Sequence, residues 1–372
     1  MPAPAIPLNW KIEPIAAANL ADWEEQWDLL ARALAFPTVF NLHGFALSWW
    51  QAYGDKCHSH FWRLEDEHGQ TRLIAPFAAW RTAPEDWFLI GHGAADYEAL
   101  LVRADDKQAV QTFQAWMRDE HPWSRLQISH VETSQQTDWL PTIDRQARRW
   151  GNALRLALSA YPLGYRLQEE QHPYFTCAEF QALAQKTLSR DYRKHENWFS
   201  KRGTLRFESL RTHDAINAAV EALFALHIKK WESKQAPSGL TQEAERTFLR
   251  ALVNNLSTQS ALRLDLLYWD EAIVAAHFGF EWENRLYWYI TTYDPDVASH
   301  SPGKLLLANV IRQAENDRLT EVDLLRGQEA YKFQYASHVR KTTRITFYRS
   351  RLALLRGWLS QQRPALTPRE ST

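Results

Sequence analysis

The clearest alternation of apolar and polar positions lies between residues 262 and 291. Leu262, Leu264 and Leu266 alternate with Arg263 and Asp265, and Leu286, Trp288 and Ile290 alternate with Tyr287, Tyr289 and Thr291. That period of two predicts half-buried strands. Between them, Trp269-Asp270-Glu271 reads as a turn into Ala272–Trp282, a run of small and apolar residues. A loop over Tyr293–His300 precedes a change of period. Leu307, Val310, Ile311 and Ala314 have the i, i+3, i+4, i+7 spacing of one buried helix face. Glu321–Leu325 returns as a strand and ends at Arg326-Gly327. The predicted order, β-β-β-α-β, points a helix N-terminus at whatever anion binds beside the sheet.

The first half repeats this order loosely. Ala21–Ala35 and Phe45–Tyr53 read as helices, Phe61–Leu64 and Thr71–Trp80 as a hairpin around Glu67-His68-Gly69-Gln70. Trp87–Ile90 and Tyr97–Val102 read as strands, Asp105–Glu120 as a helix and Arg125–Val131 as a strand. Leu73–Phe77 and Ile273–Phe278 occupy equivalent places in the two series. The pattern implies a tandem duplication. With 372 residues, two domains are the natural division. The expected limits are 1–165, 166–360 and a frayed tail over 361–372, with the boundary near Tyr161–Gln171. Each domain is expected to be α/β (α+β), a mixed, mainly antiparallel sheet flanked by helices. In the second half, Ser189–Arg202 reads as a helix capped by Ser189, followed by helices over Ala215–Trp231 and Gln242–Leu256.

Composition narrows the class. Forty-three Lys and Arg against 44 Asp and Glu leave no global pull toward DNA. Cys57 and Cys177 stand far apart without a CxxC, which argues against a disulfide framework and a zinc site. No apolar run approaches the ~20 residues of a membrane span, and Met1–Trp10 lacks the regions of a signal peptide. A soluble, cytoplasmic protein without a metal is expected. No Walker loop, GxSxG elbow or HExxH occurs.

Several residues could carry chemistry, each with a bland alternative. Ser301-Pro302-Gly303 has the makings of a helix start, with Ser as N-cap and Pro at the first helical position. The alternative to mere capping is that free N–H groups there receive a diphosphate, with Lys304 adding a cation. Asp323 is either a solvent-facing carboxylate or a group that orients or deprotonates an acceptor. Glu329 is a second carboxylate, and Lys332 either pairs with it or contacts an anionic substrate. His277, in a strand of small residues, is either a hydrogen-bonded core histidine or a general base. Tyr293-Asp294-Pro295 is a turn whose Tyr293 and Asp294 could reach substrate. Between Lys186 and Arg211 eight Lys and Arg face three Asp and Glu. Arg193 and Lys194 lie on that basic face, which is either solvated or suited to a phosphate-rich substrate or an RNA end. Arg340–Arg356 carries six basic residues and no acid, with Ile345, Phe347, Leu352 and Leu354 to anchor it.

One set of motifs resembles a known family. Leu264-Asp265-Leu266-Leu267 with Ala275-Ala276, Tyr293-Asp294-Pro295, Ser301–Leu306 and Asp323-Leu324-Leu325-Arg326-Gly327-Gln328-Glu329-Ala330-Tyr331-Lys332 occur in order over about residues 185–335. They resemble GNAT-superfamily acyltransferases of the CelD/BcsL type, whose two-domain relatives include Fem-type peptidyltransferases. The usual glycine-rich pyrophosphate loop is absent, and Ser301-Pro302-Gly303 stands in its place. The resemblance implies two tandem GNAT-like domains and transfer of an acetyl or other acyl group from a CoA thioester to an amine or hydroxyl. It also implies a small-molecule or glycan acceptor, as in exopolysaccharide or cellulose production. It assigns the donor diphosphate to Ser301–Lys304, the base to Asp323 or His277, and the acid to Tyr331 or Tyr335. Two rivals stand beside it. One is a Fem-like enzyme using aminoacyl-tRNA, and the other a non-catalytic binding protein with the same fold.

Overall fold

The computed structural model describes residues 9–120, 123–132, 164–256, 261–349 and 353. Its first elements are β1 (Lys11–Pro14), α1 (Glu24–Arg32), α2 (His43–Tyr53), β2 (Cys57–Glu65), β3 (Thr71–Trp80), β4 (Asp86–Leu89), β5 (Leu101–Val102), α3 (Lys107–Glu120) and β6 (Arg125–Glu132). There follow β7 (Gly164–Thr176), α4 (Cys177–Ser200), β8 (Leu205–Leu210), α5 (His213–Ser233), α6 (Glu243–Leu256), β9 (Leu262–Trp269), β10 (Ala272–Trp282) and β11 (Arg285–Tyr293). The last are α7 (Pro302–Asn316), β12 (Glu321–Asp323), α8 (Ala330–Tyr335) and β13 (His338–Tyr348). Among the described residues, those up to Glu170 and from Lys341 onward form one compact unit, and Gln171–Arg340 form another.

The two units share one strand order. In the first, β1, β2, β3 and β4 are antiparallel neighbours, β4 runs parallel to β6, and β6 is antiparallel to β13. In the second, β8, β9, β10 and β11 are antiparallel neighbours, β11 runs parallel to β12, and β12 is antiparallel to β7. Parallel neighbours need a crossover, and α3 and α7 supply it. The equivalence of Leu73–Phe77 with Ile273–Phe278 follows, since β3 and β10 are the third strands of the two series.

The sixth strand of each series is exchanged. β7 follows β6 in the chain yet pairs with β12, and β13 follows β12 yet pairs with β6. The expected boundary segment is therefore strand from Gly164 onward, and Lys341–Tyr348 belongs with the first unit rather than with 166–360. Strand β7 runs on past the expected boundary, and its end pairs with β12, with Glu321 opposite Thr176 and Asp323 opposite Tyr174. The expected tail beyond 360 lies outside the described residues.

Two further elements differ from the sequence reading. Helix α4 begins at Cys177, so Ser189 lies in its interior rather than at a cap. The upstream run of Ala, Leu and Gln has high helix propensity and extends the helix backwards. The strand expected over Tyr97–Val102 shrinks to Leu101–Val102, because Gly91 (φ 94°) and Gly93 (φ 80°) turn the preceding chain into an irregular loop.

In the second unit the stripe Leu307, Val310, Ile311 and Ala314 of α7 is buried as its spacing predicts. It packs in one apolar cluster with Leu267 of β9, Ala275 of β10 and Leu286 and Trp288 of β11. Each fully buried aliphatic side chain contributes roughly 1.5–3 kcal/mol, which fixes α7 against the sheet and its first turn beside the end of β11. An equivalent cluster joins Phe113 and Met117 of α3 to Leu73, Ala75 and Phe77 of β3.

Candidate active site at the open edge of β11

The parallel ladder between β11 and β12 is short. It joins Arg285, Leu286 and Tyr287 to Glu321, Val322 and Asp323 and stops there, while β11 continues to Tyr293 against β10. At that point β11 bulges: Trp288 and Tyr289 oppose the single residue Gly279 of β10. A bulge bends its strand and ends regular pairing, so β11 diverges from β12 and leaves an edge from Trp288 to Tyr293. Such an opening, at the carboxyl ends of parallel strands, is where ligands enter α/β sheets.

Side chains from four elements gather along this edge. Lys230 of α5 is buried at 3% exposure. Its Nζ donates to the Thr291 carbonyl at 3.3 Å and stands 4.7 Å from the centre of the Tyr293 ring. Burial lowers its pKa to about 8; nearby Lys234 adds to the drop and Glu329 opposes it. The Tyr331 hydroxyl faces Trp288 and Thr291, and burial pushes its pKa up to about 12. Glu329 lies 3.2 Å from Lys332 Nζ, and Lys332, itself buried, donates to the Arg326 carbonyl at 2.6 Å. Tyr335 packs on the same apolar cluster as Tyr331. The turn of Gly327 (φ 139°) is what admits this arrangement: a Cβ there would lie 2.0 Å from Glu329 Oε2 and 2.7 Å from Lys332 Nζ.

The start of α7 closes the group. A Cβ at Gly303 would meet Tyr293 at 3.7 Å and nothing nearer, so the space over that first turn is open. Ser301 stands at the N-cap position in a left-handed conformation (φ 51°), and its hydroxyl caps nothing. This corrects the expected Ser cap: the residue also closes the preceding 3-10 turn Pro295–His300, whose exit requires that conformation. The set of expected anion-binding N–H groups also shrinks. Pro302 has none, and Lys304 and Leu305 both donate to the Ser301 carbonyl. Gly303 N–H remains, beside an exposed Lys304.

Other expected site residues take structural roles. Asp323 is fully buried, because β12 is an inner strand between β7 and β11, so a solvent-facing carboxylate is corrected. It accepts from Arg340 at 2.9 Å and from Leu325 N–H at 2.8 Å. Leu325 is left-handed (φ 61°), and Asp323 thereby shapes the loop that carries Glu329. His277 is also fully buried; its Nδ1 meets Asp265 at 2.8 Å, its ring stacks on Trp288 at 4.0 Å, and Nε2 faces the Tyr287 carbonyl. Desolvation lowers its pKa despite the Asp265 carboxylate. Asp265 in turn is gripped by Arg263 at 2.8 and 2.9 Å and by Ser209 at 2.7 Å. This is a core network behind the edge, with His277 as its last member. Asp294 accepts from Asp296 N–H and pairs with Lys229 at 2.7 Å, a turn-stabilising role. Arg193 and Lys194 are exposed on α4, whose Tyr192 packs against Arg312 of α7.

The sequence reading missed Lys230. Its signal was present, because Ile216, Val220, Leu223 and Leu226 form the buried stripe of α5 and Lys230 falls seven residues after Leu223 on that stripe. A lysine on an apolar face, buried on folding, needs a reason.

Residues 186–333 match the Acetyltransferase (GNAT) domain family. This segment is similar to GNAT-fold acetyltransferase domains. It contains the bulged β11, α7, β12 and the loop to Lys332. Over nearly the whole chain the fold is similar to solved structures at low identity. FemX aligns with a TM-score of 0.61 at 9% identity, covering 93% of this chain and 99% of its own. The C-terminal domain of a putative lysylphosphatidylglycerol synthetase from Agrobacterium fabrum aligns at 0.56 and 10% identity, covering 92% and 96%. L-PGS from Bacillus licheniformis aligns at 0.52 and 12% identity, covering 91% and 95%. No curated protein sequence matches the chain. No described helix is long and apolar enough to cross a membrane, and no cluster of metal-ligating side chains occurs among the described residues.

Proposed function

We propose that the edge of β11 in the GNAT domain transfers an acetyl or other acyl group from a CoA thioester to an amine or hydroxyl, with a sugar as the acceptor class. The observation that carries this reading is the juxtaposition of an open strand edge, an unobstructed helix start at Gly303 and a buried lysine whose pKa is depressed. Gly303 N–H and Lys304 hold the donor diphosphate. Edge N–H groups of β11 polarise the thioester carbonyl. Lys230, deprotonated in part near neutral pH, takes the proton of the attacking acceptor. Its ammonium, near the ~8.5 of a free thiol, then returns that proton to the leaving sulfur, while Tyr331 keeps its own proton and donates a hydrogen bond. In this reading His277 and Asp323 position the edge and the loop, and Glu329 and Lys332 set the local charge. The exposed Arg193 and Lys194 meet an anionic part of a substrate.

Calorimetric titration of acetyl-CoA into the wild type and Gly303→Val tests the donor site. Bulk at Gly303 should weaken binding at least roughly tenfold, about 1.4 kcal/mol, with little change in melting temperature. Equal affinity in a folded variant removes the diphosphate from that position. A second reading, an aminoacyl-tRNA donor, is favoured by the exposed basic face of α4. It predicts tRNA binding that falls with salt and no heat with acetyl-CoA.

A further inference from the structure

Two consecutive lysines of α5 grip two consecutive residues at the end of β11. Lys229 Nζ donates to Asp294 Oδ1 and Asp296 Oδ2, both at 2.7 Å, while Lys230 Nζ lies over the Tyr293 ring, 4.7 Å from its centre. The Asp294 N–H donates in turn to the Val274 carbonyl of β10 at 2.9 Å, which ties the strand end to the sheet. Tyr293 is also the group that a Cβ at Gly303 would meet, at 3.7 Å. One ring therefore stands next to both the buried lysine and the start of α7.

Core packing does not account for this placement. Tyr293 is half-buried at the rim of the apolar cluster under α7, where an aliphatic side chain would pack equally well. Yet the amine of a lysine only 3% exposed is laid against its ring. A ring presents a negative face to a cation, and the attraction grows where water is excluded. The Thr291 carbonyl accepts from the same Nζ at 3.3 Å, but a neutral amine and an ammonium can both make that bond. The ring favours the ammonium alone. Lys234 and Glu329 act on this charge with opposite signs. The other titratable groups on adjoining elements are Tyr331, which keeps its proton, His300, stacked on Trp198, and Asp294 and Asp296, which pair with Lys229.

We propose that Tyr293 is a positioning residue for Lys230, its ring holding the ammonium that forms when Nζ takes the acceptor's proton. The inference rests on the acyl-transfer reading of this edge. As the N–H or O–H proton of the acceptor passes to Nζ, the acceptor bonds to the acyl carbon. The C–S pair then leaves with sulfur, which takes the proton from Nζ. The test places Phe (Tyr293→Phe) or pentafluorophenylalanine at position 293. The two share their packing, but fluorine removes the negative face of the ring. Thiol release from acetyl-CoA with glucosamine is followed across pH. Relative to Tyr293→Phe, the fluorinated protein should show the rising limb of its pH–rate profile displaced downward by roughly one unit. Turnover above that midpoint should fall roughly three- to tenfold, with calorimetric affinity for acetyl-CoA unchanged. Urea denaturation needs no turnover: at neutral pH, Lys230→Met should stabilise the fluorinated background more than the Phe background, by roughly three- to tenfold in the unfolding equilibrium. Identical pH profiles, or identical effects of Lys230→Met in the two backgrounds, would overturn the proposal and leave the acyl-transfer reading standing. Absence of thiol release in the wild type would sink that reading and the proposed role with it.

Discussion

Replacing Lys230 with Met should make the protein more stable at neutral pH and inactive in acyl transfer. Folding lowers the Lys230 pKa from 10.5 to about 8, which corresponds to roughly 3 kcal/mol of penalty on the charged form at 1.36 kcal/mol per pH unit. The lysine is almost fully buried, so solvent screening removes little of it. A base whose folded pKa lies below its unfolded value destabilises the fold completely below the folded pKa. The penalty fades as pH rises from about 8 toward 10.5 and is absent above, because there both states are neutral. Met keeps the stem and removes the charge. It also forfeits the bond to the Thr291 carbonyl and the contact over Tyr293, about 1–2 kcal/mol together. The net gain at pH 7 is therefore about 1–2 kcal/mol, turning into a loss above pH 10. Urea denaturation of both proteins between pH 7 and 10.5 reads the stability difference. Thiol release from acetyl-CoA in the presence of glucosamine reads the transfer, and Lys230→Arg, which cannot lose its proton, should also be inactive. Parallel stability curves, or a variant less stable than wild type at pH 7, would refute the buried-charge argument. Undiminished thiol release in Lys230→Met would remove the residue from the proton path.

Asp265→Asn removes the closer of the two carboxylates on buried Arg263, leaving Glu281 at 3.1 Å, and should cost at least about 1–3 kcal/mol in denaturation. Arg263 and His277 hold the Asp265 carboxyl below its usual range although desolvation opposes them. Its contribution is therefore complete above the ordinary carboxylate pKa and is lost only in strong acid, so a difference between wild type and variant that collapses by pH 5 would contradict the pairing. Gly279→Ala places a Cβ 2.4 Å from the Tyr287 carbonyl and 2.3 Å from His277 Nε2; a loss of at least roughly 2 kcal/mol is expected, and an unchanged melting curve would disprove the close packing behind the bulge. Ser301→Gly should stabilise by about 1 kcal/mol by relieving the left-handed φ, whereas Ser301→Ala should gain nothing, which separates conformational strain from capping in a pair of thermal melts.

Much of the second unit was legible locally. The alternation through Leu262–Leu266 and Leu286–Ile290 and the stripe Leu307–Ala314 depend on periodicity alone, so β9, β11 and α7 follow from the chain. The motif from Asp323 to Lys332 likewise pointed to the site loop before any contact was known. What the residues could not disclose depends on partners distant in the chain. Asp323 looks solvent-facing until β7 and β11 flank β12, and Arg340 arrives to neutralise it. The boundary segment looks like a linker until the fold makes it strand from Gly164 to Thr176, the end of which pairs with β12, because a strand's hydrogen bonds are made with another strand and leave no periodic trace when its side chains are polar. Ser301 reads as a cap, yet the turn before it dictates a left-handed backbone. Lys230 was visible as an anomaly on an apolar stripe, but its pKa belongs to the folded chain, where burial strips away water. The chain by itself determined the elements and the motif. Tertiary structure decided which charged groups lose their solvent and which partners they gain, and thus which of them are free to react.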